Sequence, residues 1–504
     1  MRYESTRGSL DKKRSTQAII QGIAEDGGLF VPSEIPKLPD RIVKALQQGK
    51  ALTYKETAEQ VMGQFFDDYE QKKLNQCIES AYDQKFVEKD VVKLCKIENS
   101  QFKHVNFLEL YHGKTAAFKD VALSILPYLM VEACKEEGEK SKICVLTATS
   151  GDTGKAALEG FCDVPGTEII VFYPKDGVSL IQERQMVSQE GKNTHVFAIE
   201  GNFDDAQSGV KSIFADNEFK SILADRGVML SSANSINIGR LVPQIVYYVY
   251  SYMKLVEEGQ LKNGEPMNVA VPTGNFGNIL AAYFAKEMGV PIKKLICASN
   301  ENNVLTDFIQ LGKYDIRGEK RSFRCTNSPS MDILISSNLE RLLYLLSDRD
   351  SKAVCQWMQD LNSKKHYNVA PEFMSNMTAF EAGYATQEET LGAIGELWNN
   401  SKYLADTHTA VAYKVYCDYV SKTGDCETPV VIASTASPYK FAESVATACG
   451  LDQVDNQFEC LKKLNQVTGQ VIPYGLVDLD KKAVLHSGIV SKDAMKGAVL
   501  EALK

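Results

Sequence analysis

Beyond about residue 140 the chain repeats one unit, in which a short apolar run gives way to a polar loop and then to an amphipathic stretch. The run at 143–147 leads through a glycine loop into a helical pattern at 155–158, and the run at 168–173 is followed by one at 179–189. The run at 268–271 precedes a helix from Asn278, that at 295–299 precedes 304–311, and that at 429–432 precedes a helix from Pro438. Unbroken apolar runs of this length predict strands buried on both faces, and their alternation with helices predicts open parallel sheets covered by helices. The class is α/β. In such sheets ligands collect beyond the carboxyl ends of the strands, where loops enter helix N-termini.

Two stretches depart from this rhythm. Residues 1–95 mix a turn-rich entry, DGGLFVP from Asp26, with helical patches such as 54–66, and read as an N-terminal α+β subdomain. The pattern then divides into a smaller α/β domain over 96–232 and a larger one over 233–504. Within the larger one, 312–375 is irregular and rich in charge, as an insertion or a surface helical layer would be. Helical runs are also expected at 121–130 and 241–252.

A length of 504 residues fits two or three domains. The net charge of −9 and pI near 5.4 exclude nucleic acid as a general partner, because phosphate backbones are held by clustered Lys and Arg. Twelve cysteines include no CxxC pair and stand apart from the six histidines, so no metal is expected. The start, MRYESTRGSLDKKRS, lacks the apolar run of a signal peptide, and no run reaches the ~20 apolar residues of a membrane span. A cytoplasmic enzyme without a membrane partner, monomeric or homodimeric, is the expectation.

Four constellations carry candidate chemistry. In YHGKTAAFKD, from Tyr111 to Asp120, Lys119 follows small residues and Phe118, a setting that desolvates an amine and frees it for imine formation. Alone it is also compatible with a solvated helix start. TATSGDTG, from Thr147 to Gly154, lies between strand and helix, where N–H groups and hydroxyls cradle an anion, or merely cap a helix. It matches neither a Walker loop nor GxGxxG. PTGNFGN, from Pro272 to Asn278, offers a second cradle of the same kind. SANSINIGR, from Ser232 to Arg240, brings Asn234, Ser235 and the forked donors of Arg240 to a helix entry, although an arginine there is commonly a surface residue. Two such loops with a placed lysine weigh more than any one of them.

In this order the pieces resemble threonine synthase, a pyridoxal phosphate enzyme of the tryptophan synthase β-like fold, fold type II. The resemblance extends to the entry YESTR from Tyr3, to DGGLFVP, to SSNLER at 336–341, to DTHTA at 406–410 and to STASPYKF at 434–441. Two positions depart from the family pattern: Lys114 stands where proline is usual and Ser437 where histidine is usual. The resemblance implies that Lys119 holds pyridoxal 5'-phosphate as a Schiff base and later moves protons. It implies that Gly274, Asn275, Phe276, Gly277 and Asn278 bind the cofactor phosphate, that Thr435 faces the pyridine nitrogen, that Asp152 lies near the ring hydroxyl and that Phe118 contacts the ring. It further implies O-phospho-L-homoserine as substrate, its carboxylate on Thr149, Ser150 and Gly151 and its phosphate on Thr153, Asn234, Ser235 and Arg240. The implied reaction converts this substrate and water to L-threonine and phosphate. A phospholyase or dehydratase of the same fold, releasing a keto acid, is the alternative; a catalytically silent binding paralogue is another.

Overall fold

The apolar runs become the central strands of two sheets, in a computed structural model that describes residues 1–83, 85–98, 104–149, 151–318, 321–452, 454 and 456–504. In chain order the strands are β1 (Tyr3–Ser5), β2 (Phe30–Pro32), β3 (Lys93–Ile97), β4 (Val105–Glu109), β5 (Lys142–Ala148), β6 (Thr167–Pro174), β7 (Thr194–Ile199) and β8 (Val228–Ser231). They continue with β9 (Met267–Pro272), β10 (Ile292–Ser299), β11 (Lys313–Asp315), β12 (His366–Asn368), β13 (Phe380–Tyr384), β14 (Val430–Ser434) and β15 (Gly488–Val490). The larger sheet has the order β13-β10-β9-β14-β4-β3, parallel except for the antiparallel β3–β4 pair, with Ile432 opposite Phe107 and Leu295 opposite Val269. The smaller sheet, β15-β7-β6-β5-β8, is parallel throughout.

Each sheet contains a point where the chain order reverses. In the smaller sheet successive strands run from β5 to β7 in one direction, while β8 lies on the other side of β5. In the larger sheet β10 lies on one side of β9 and β14 on the other. Loops leaving neighbouring strands at such a point depart to opposite faces and open a crevice. The crevices take up the loops that follow β5 and β8 in one sheet, and those that follow β9, β14 and β4 in the other.

Sheet pairing redraws the division expected from the sequence. β4, from the stretch assigned to the smaller domain, and β3, which straddles its boundary with the N-terminal subdomain, pair in the larger sheet, whereas β15, from the larger, pairs with β7 in the smaller. These are pairings between residues far apart in the chain, invisible to any local pattern. After the helix Gln457–Thr468 the chain crosses from one sheet to the other as a strap. Arg184 of the helix Leu180–Val187 donates to the strap carbonyls of Asp480 and Lys482 at 2.8 and 3.0 Å, and Leu485 N–H donates to Val187 O at 2.8 Å.

The helix Ile238–Glu257 is apolar on nearly every side and is buried along most of its length, against the helices Tyr54–Phe65, Lys119–Leu123 and Gly277–Met288. It fastens the N-terminal subdomain to both sheets. The helix expected at 121–130 is two helices, Lys119–Leu123 and Leu126–Glu136, with Pro127 in the first turn of the second, where a missing N–H leaves no bond unmade. The stretch 312–375 is not merely a surface layer. β11 and β12 pair antiparallel, and Arg341, on the helix Leu339–Leu346, is wholly buried. No helix among the described residues is long and apolar enough to cross a membrane.

Candidate active site

Lys119 opens a short helix just after β4, and its position is fixed by the neighbouring strand end. Leu110 N–H donates to Ser434 O at 2.9 Å and Phe118 N–H to Thr435 O at 2.8 Å, so the loop before Lys119 continues the β4–β14 pairing. The Lys119 ammonium position is 5.0 Å from the centre of the Phe118 ring and 3.8 Å from Asp152 Oδ2. Burial lowers its pKa; Asp152 opposes this, and the nearby charges of Lys440 and Arg240 reinforce it. The amine is thus held toward its neutral, nucleophilic form.

Asp152 is the first residue of the helix Asp152–Phe161, beyond β5, and it reaches across to the other sheet. Lys440, wholly buried after β14, meets Asp152 Oδ1 at 2.6 Å and donates to Thr115 O at 3.1 Å. Gln182 Nε2 donates to Oδ1 at 3.1 Å and Ser330 Oγ to Oδ2 at 3.3 Å. Burial disfavours the carboxylate, but Lys440 and Lys119 outweigh it and hold the Asp152 carboxyl well below the usual range. Ser330 is itself held, because its N–H donates to His408 Nε2 at 3.1 Å, leaving Nδ1–H to face Asp406 Oδ1 at 3.0 Å.

The loop after β9 heads the helix Gly277–Met288, with Phe276 in the left-handed region at φ 63°. Its backbone is clamped from outside. Ser336 Oγ donates to Gly274 O at 2.7 Å, while Asn338 N–H and Nδ2 donate to Asn275 O at 3.1 and 2.9 Å. Arg341 links Asn338 Oδ1 to the carbonyls of Phe30 and Ile236, joining this loop to the N-terminal subdomain and to the loop after β8. A Cβ on Gly274 would lie 2.9 Å from Ser330 O, closer than real contacts allow. With the carbonyls engaged, the free groups of the loop are the N–H donors of a helix N-terminus. Asn278 Oδ1 takes the hydroxyls of Tyr247 and Tyr248, yet among the described residues its buried Nδ2 has no partner. A donor-only cradle with an orphaned amide is matched to a phosphate ester. At the next strand end Thr435 is buried, and among the described residues its hydroxyl makes no hydrogen bond.

Around the smaller sheet the donors are of another kind. Arg240 is buried; one Nη donates to Ala233 O at 2.7 Å, and among the described residues Nε has no partner and no carboxylate pairs with the guanidinium. Burial lowers its pKa to about 10. Asn234 is exposed, Ser235 and Thr153 are half-buried, and none of the three side chains is hydrogen-bonded among the described residues. Gly151 is in a backbone conformation, φ 138°, that side chains rarely adopt, and a Cβ would run into Gln182. Thr149 Oγ1 accepts from the N–H groups of Gly151 and Gly154 at 3.0 and 2.9 Å, so its side chain works as a cap for the loop. Ser150 lies outside the described residues.

Lys114, half-exposed, bonds Glu159 at 2.9 Å on the back of the Asp152–Phe161 helix. Ser437 is buried, donates its N–H to Ala116 O at 3.0 Å and caps Tyr439 N–H. Both departures from the family pattern therefore have local structural work. The roles of Lys440, Ser330, Asn338 and His408 are not marked by any local pattern; the only sequence signal of Asn338, His408 and Lys440 is membership of the stretches 336–341, 406–410 and 434–441, and Ser330 has none.

Two crevices facing each other across a largely enclosed lysine, one edged by an N–H cradle, define a cofactor-dependent α/β enzyme. Residues 103–435 match the family described as pyridoxal-phosphate dependent enzyme. Residues 2–82 match the threonine synthase N terminus and 409–480 the threonine synthase C-terminal family. Threonine synthase from Schizosaccharomyces pombe is 34% identical, over 98% of this chain and 96% of its own. A crystal structure described as PLP-bound threonine synthase from Brucella melitensis superposes with a TM-score of 0.87 at 34% identity and full coverage of both chains. Threonine synthase-like 1 from Homo sapiens is 39% identical over 90% of this chain, which spans 60% of that relative's length. The chain belongs to the threonine synthase family.

Proposed function

We propose that the chain converts O-phospho-L-homoserine and water to L-threonine and phosphate, with pyridoxal phosphate anchored on Lys119. The observation that carries this reading is Arg240, a buried guanidinium with an orphaned Nε and no carboxylate partner among the described residues, near the lysine. A buried cation without a counter-ion is costly, and an anionic ligand resolves the cost. A second, donor-only cradle at Gly274, Asn275, Phe276, Gly277 and Asn278 accounts for the cofactor's own phosphate, so Arg240 is left for the phosphate of a substrate.

When bound, the cofactor supplies the electron sink that makes the substrate's α and β protons removable. Lys119 accepts and returns those protons, for which a neutral amine is the competent form. Arg240, with Thr153, Asn234 and Ser235, holds the phosphate and stabilises the charge that gathers on it as the Cγ–O bond breaks. Thr149, Ser150 and Gly151 form the loop for the substrate carboxylate. Thr435 would offer a neutral hydroxyl to the pyridine nitrogen, Asp152 would lie near the ring hydroxyl and Phe118 would contact the ring. Incubation with O-phospho-L-homoserine, assaying phosphate and threonine together, tests the proposal. Equal yields of the two are expected; phosphate with a keto acid would make the chain a phospholyase instead.

A further inference from the structure

Asp152 is one negative charge between two lysines. Lys440 lies 2.6 Å from one carboxylate oxygen and Lys119 3.8 Å from the other. The contacts are unequal: Lys440 has no exposed side-chain surface and adds a bond to Thr115 O, whereas Lys119 keeps some of its surface open. The charged groups that face Lys119 are Asp152, Lys440, Arg240 and Asp120, from four separate segments. Asp120 is itself occupied by Thr115, whose N–H donates to Oδ2 at 2.8 Å and whose hydroxyl donates to Oδ1. Asp152 is therefore the anion best placed to keep Lys119 charged, and Lys440 is the cation that already claims it.

We propose that Lys440 is a positioning residue that commits the Asp152 carboxylate, so that Lys119 is left as a free amine. Two lysines and one carboxylate in a desolvated place sustain one ion pair, and the closer, fully enclosed lysine takes it. Gln182 and Ser330 fix the carboxylate from the sides, which prevents it from swinging to Lys119. The pair also spans the two sheets, since Asp152 follows β5 and Lys440 follows β14. Lys440 thereby ties the two sheets together beside the amine.

The inference rests on the reading of Lys119 as the cofactor lysine, and the experiment separates the two. The visible band of the cofactor-loaded protein is followed against pH in the wild type, Lys440→Met, Lys440→Arg, Asp152→Asn and Asp152→Asn/Lys440→Met. Removing the Lys440 charge is expected to raise the midpoint by about one pH unit, tenfold in proton affinity, and Lys440→Arg to leave it near the wild type. Asp152→Asn is expected to lower it, and the double variant to match Asp152→Asn, because without the carboxylate Lys440 has nothing to commit. In cofactor-free protein, the rate at which an amine reagent labels Lys119 at neutral pH should fall about tenfold in Lys440→Met. A midpoint and a labelling rate unmoved by Lys440→Met overturn the proposal. Should that variant not fold, a midpoint in the double variant well above that of Asp152→Asn overturns it equally, because Lys440 would then act on Lys119 directly and not through the carboxylate. The absence of any visible band in the wild type would instead remove the reading of Lys119.

Discussion

The two crevices meet at one lysine but are built to different standards of closure. Beyond β9, every carbonyl named in the glycine loop is bonded from behind by Ser336 or Asn338, and Arg341 locks the clamp. Beyond β8, Asn234 is exposed, Ser235 is half-buried and Arg240 keeps an unpaired donor. A cradle preset in this way loses little entropy on binding and suits a group that stays; a set of unengaged side chains suits one that arrives and leaves. The same anion chemistry is thus divided between a resident phosphate and a passing one.

The hardest blow to this division is Lys119→Ala, which removes what both crevices face. It is expected to abolish the visible band and to cut turnover roughly 10⁴-fold, measured by absorption and by phosphate release. Arg240→Met should strike the transient side alone. Loss of a charge-assisted phosphate contact predicts a fall in kcat/KM of about 10²-fold with cofactor affinity unchanged, read by steady-state kinetics beside a cofactor titration. Equal losses in both quantities would erase the distinction between the crevices. Gly274→Ala should strike the resident side, because its methyl meets Ser330 O. A loss of about tenfold in cofactor affinity is expected, by fluorescence titration, with kcat of the loaded protein little altered.

A smaller effect belongs to the ground between them. Burial raises the Asp120 carboxyl to about 6 from 3.8, its two Thr115 donors notwithstanding. The folded protein therefore holds this proton more tightly than the unfolded chain, and the corresponding stability, complete below about pH 4, is lost as pH rises through 6. Denaturation midpoints of Asp120→Asn should lack that decline between pH 4 and 6. Smallest of all is Lys114→Met, which breaks a half-exposed ion pair and should cost below about 1 kcal/mol by thermal melting.

What the sequence made legible follows the same split between local and distant. Strands such as β5, β6 and β9, and helices such as Val304–Leu311, announce themselves because burial on both faces leaves continuous apolar runs and the loops that follow carry glycine. The loops holding Lys119, Asp152 and Gly274 were found for that reason. Lys440, Ser330 and Asn338 were not, because each acts on a residue far along the chain and its own neighbourhood reads as an ordinary turn or helix entry. β15 was missed likewise, since three residues paired to a distant strand leave no periodic trace. At Thr149 the cap that the sequence allows is present, its hydroxyl accepting two N–H groups of the loop proposed to hold the substrate carboxylate.

The strap that carries β15 back to β7 sets an order of events during synthesis. A ribosome delivers β5, β6, β7 and β8 early, but the strand that completes their sheet emerges only after all of the larger sheet has been made. The smaller sheet must therefore wait, with the edge of β7 open, while its neighbour assembles. Its last pairing is made only once that wait has ended, and the outer edge of β7 is the place for a chaperone or a protease to find the unfinished chain.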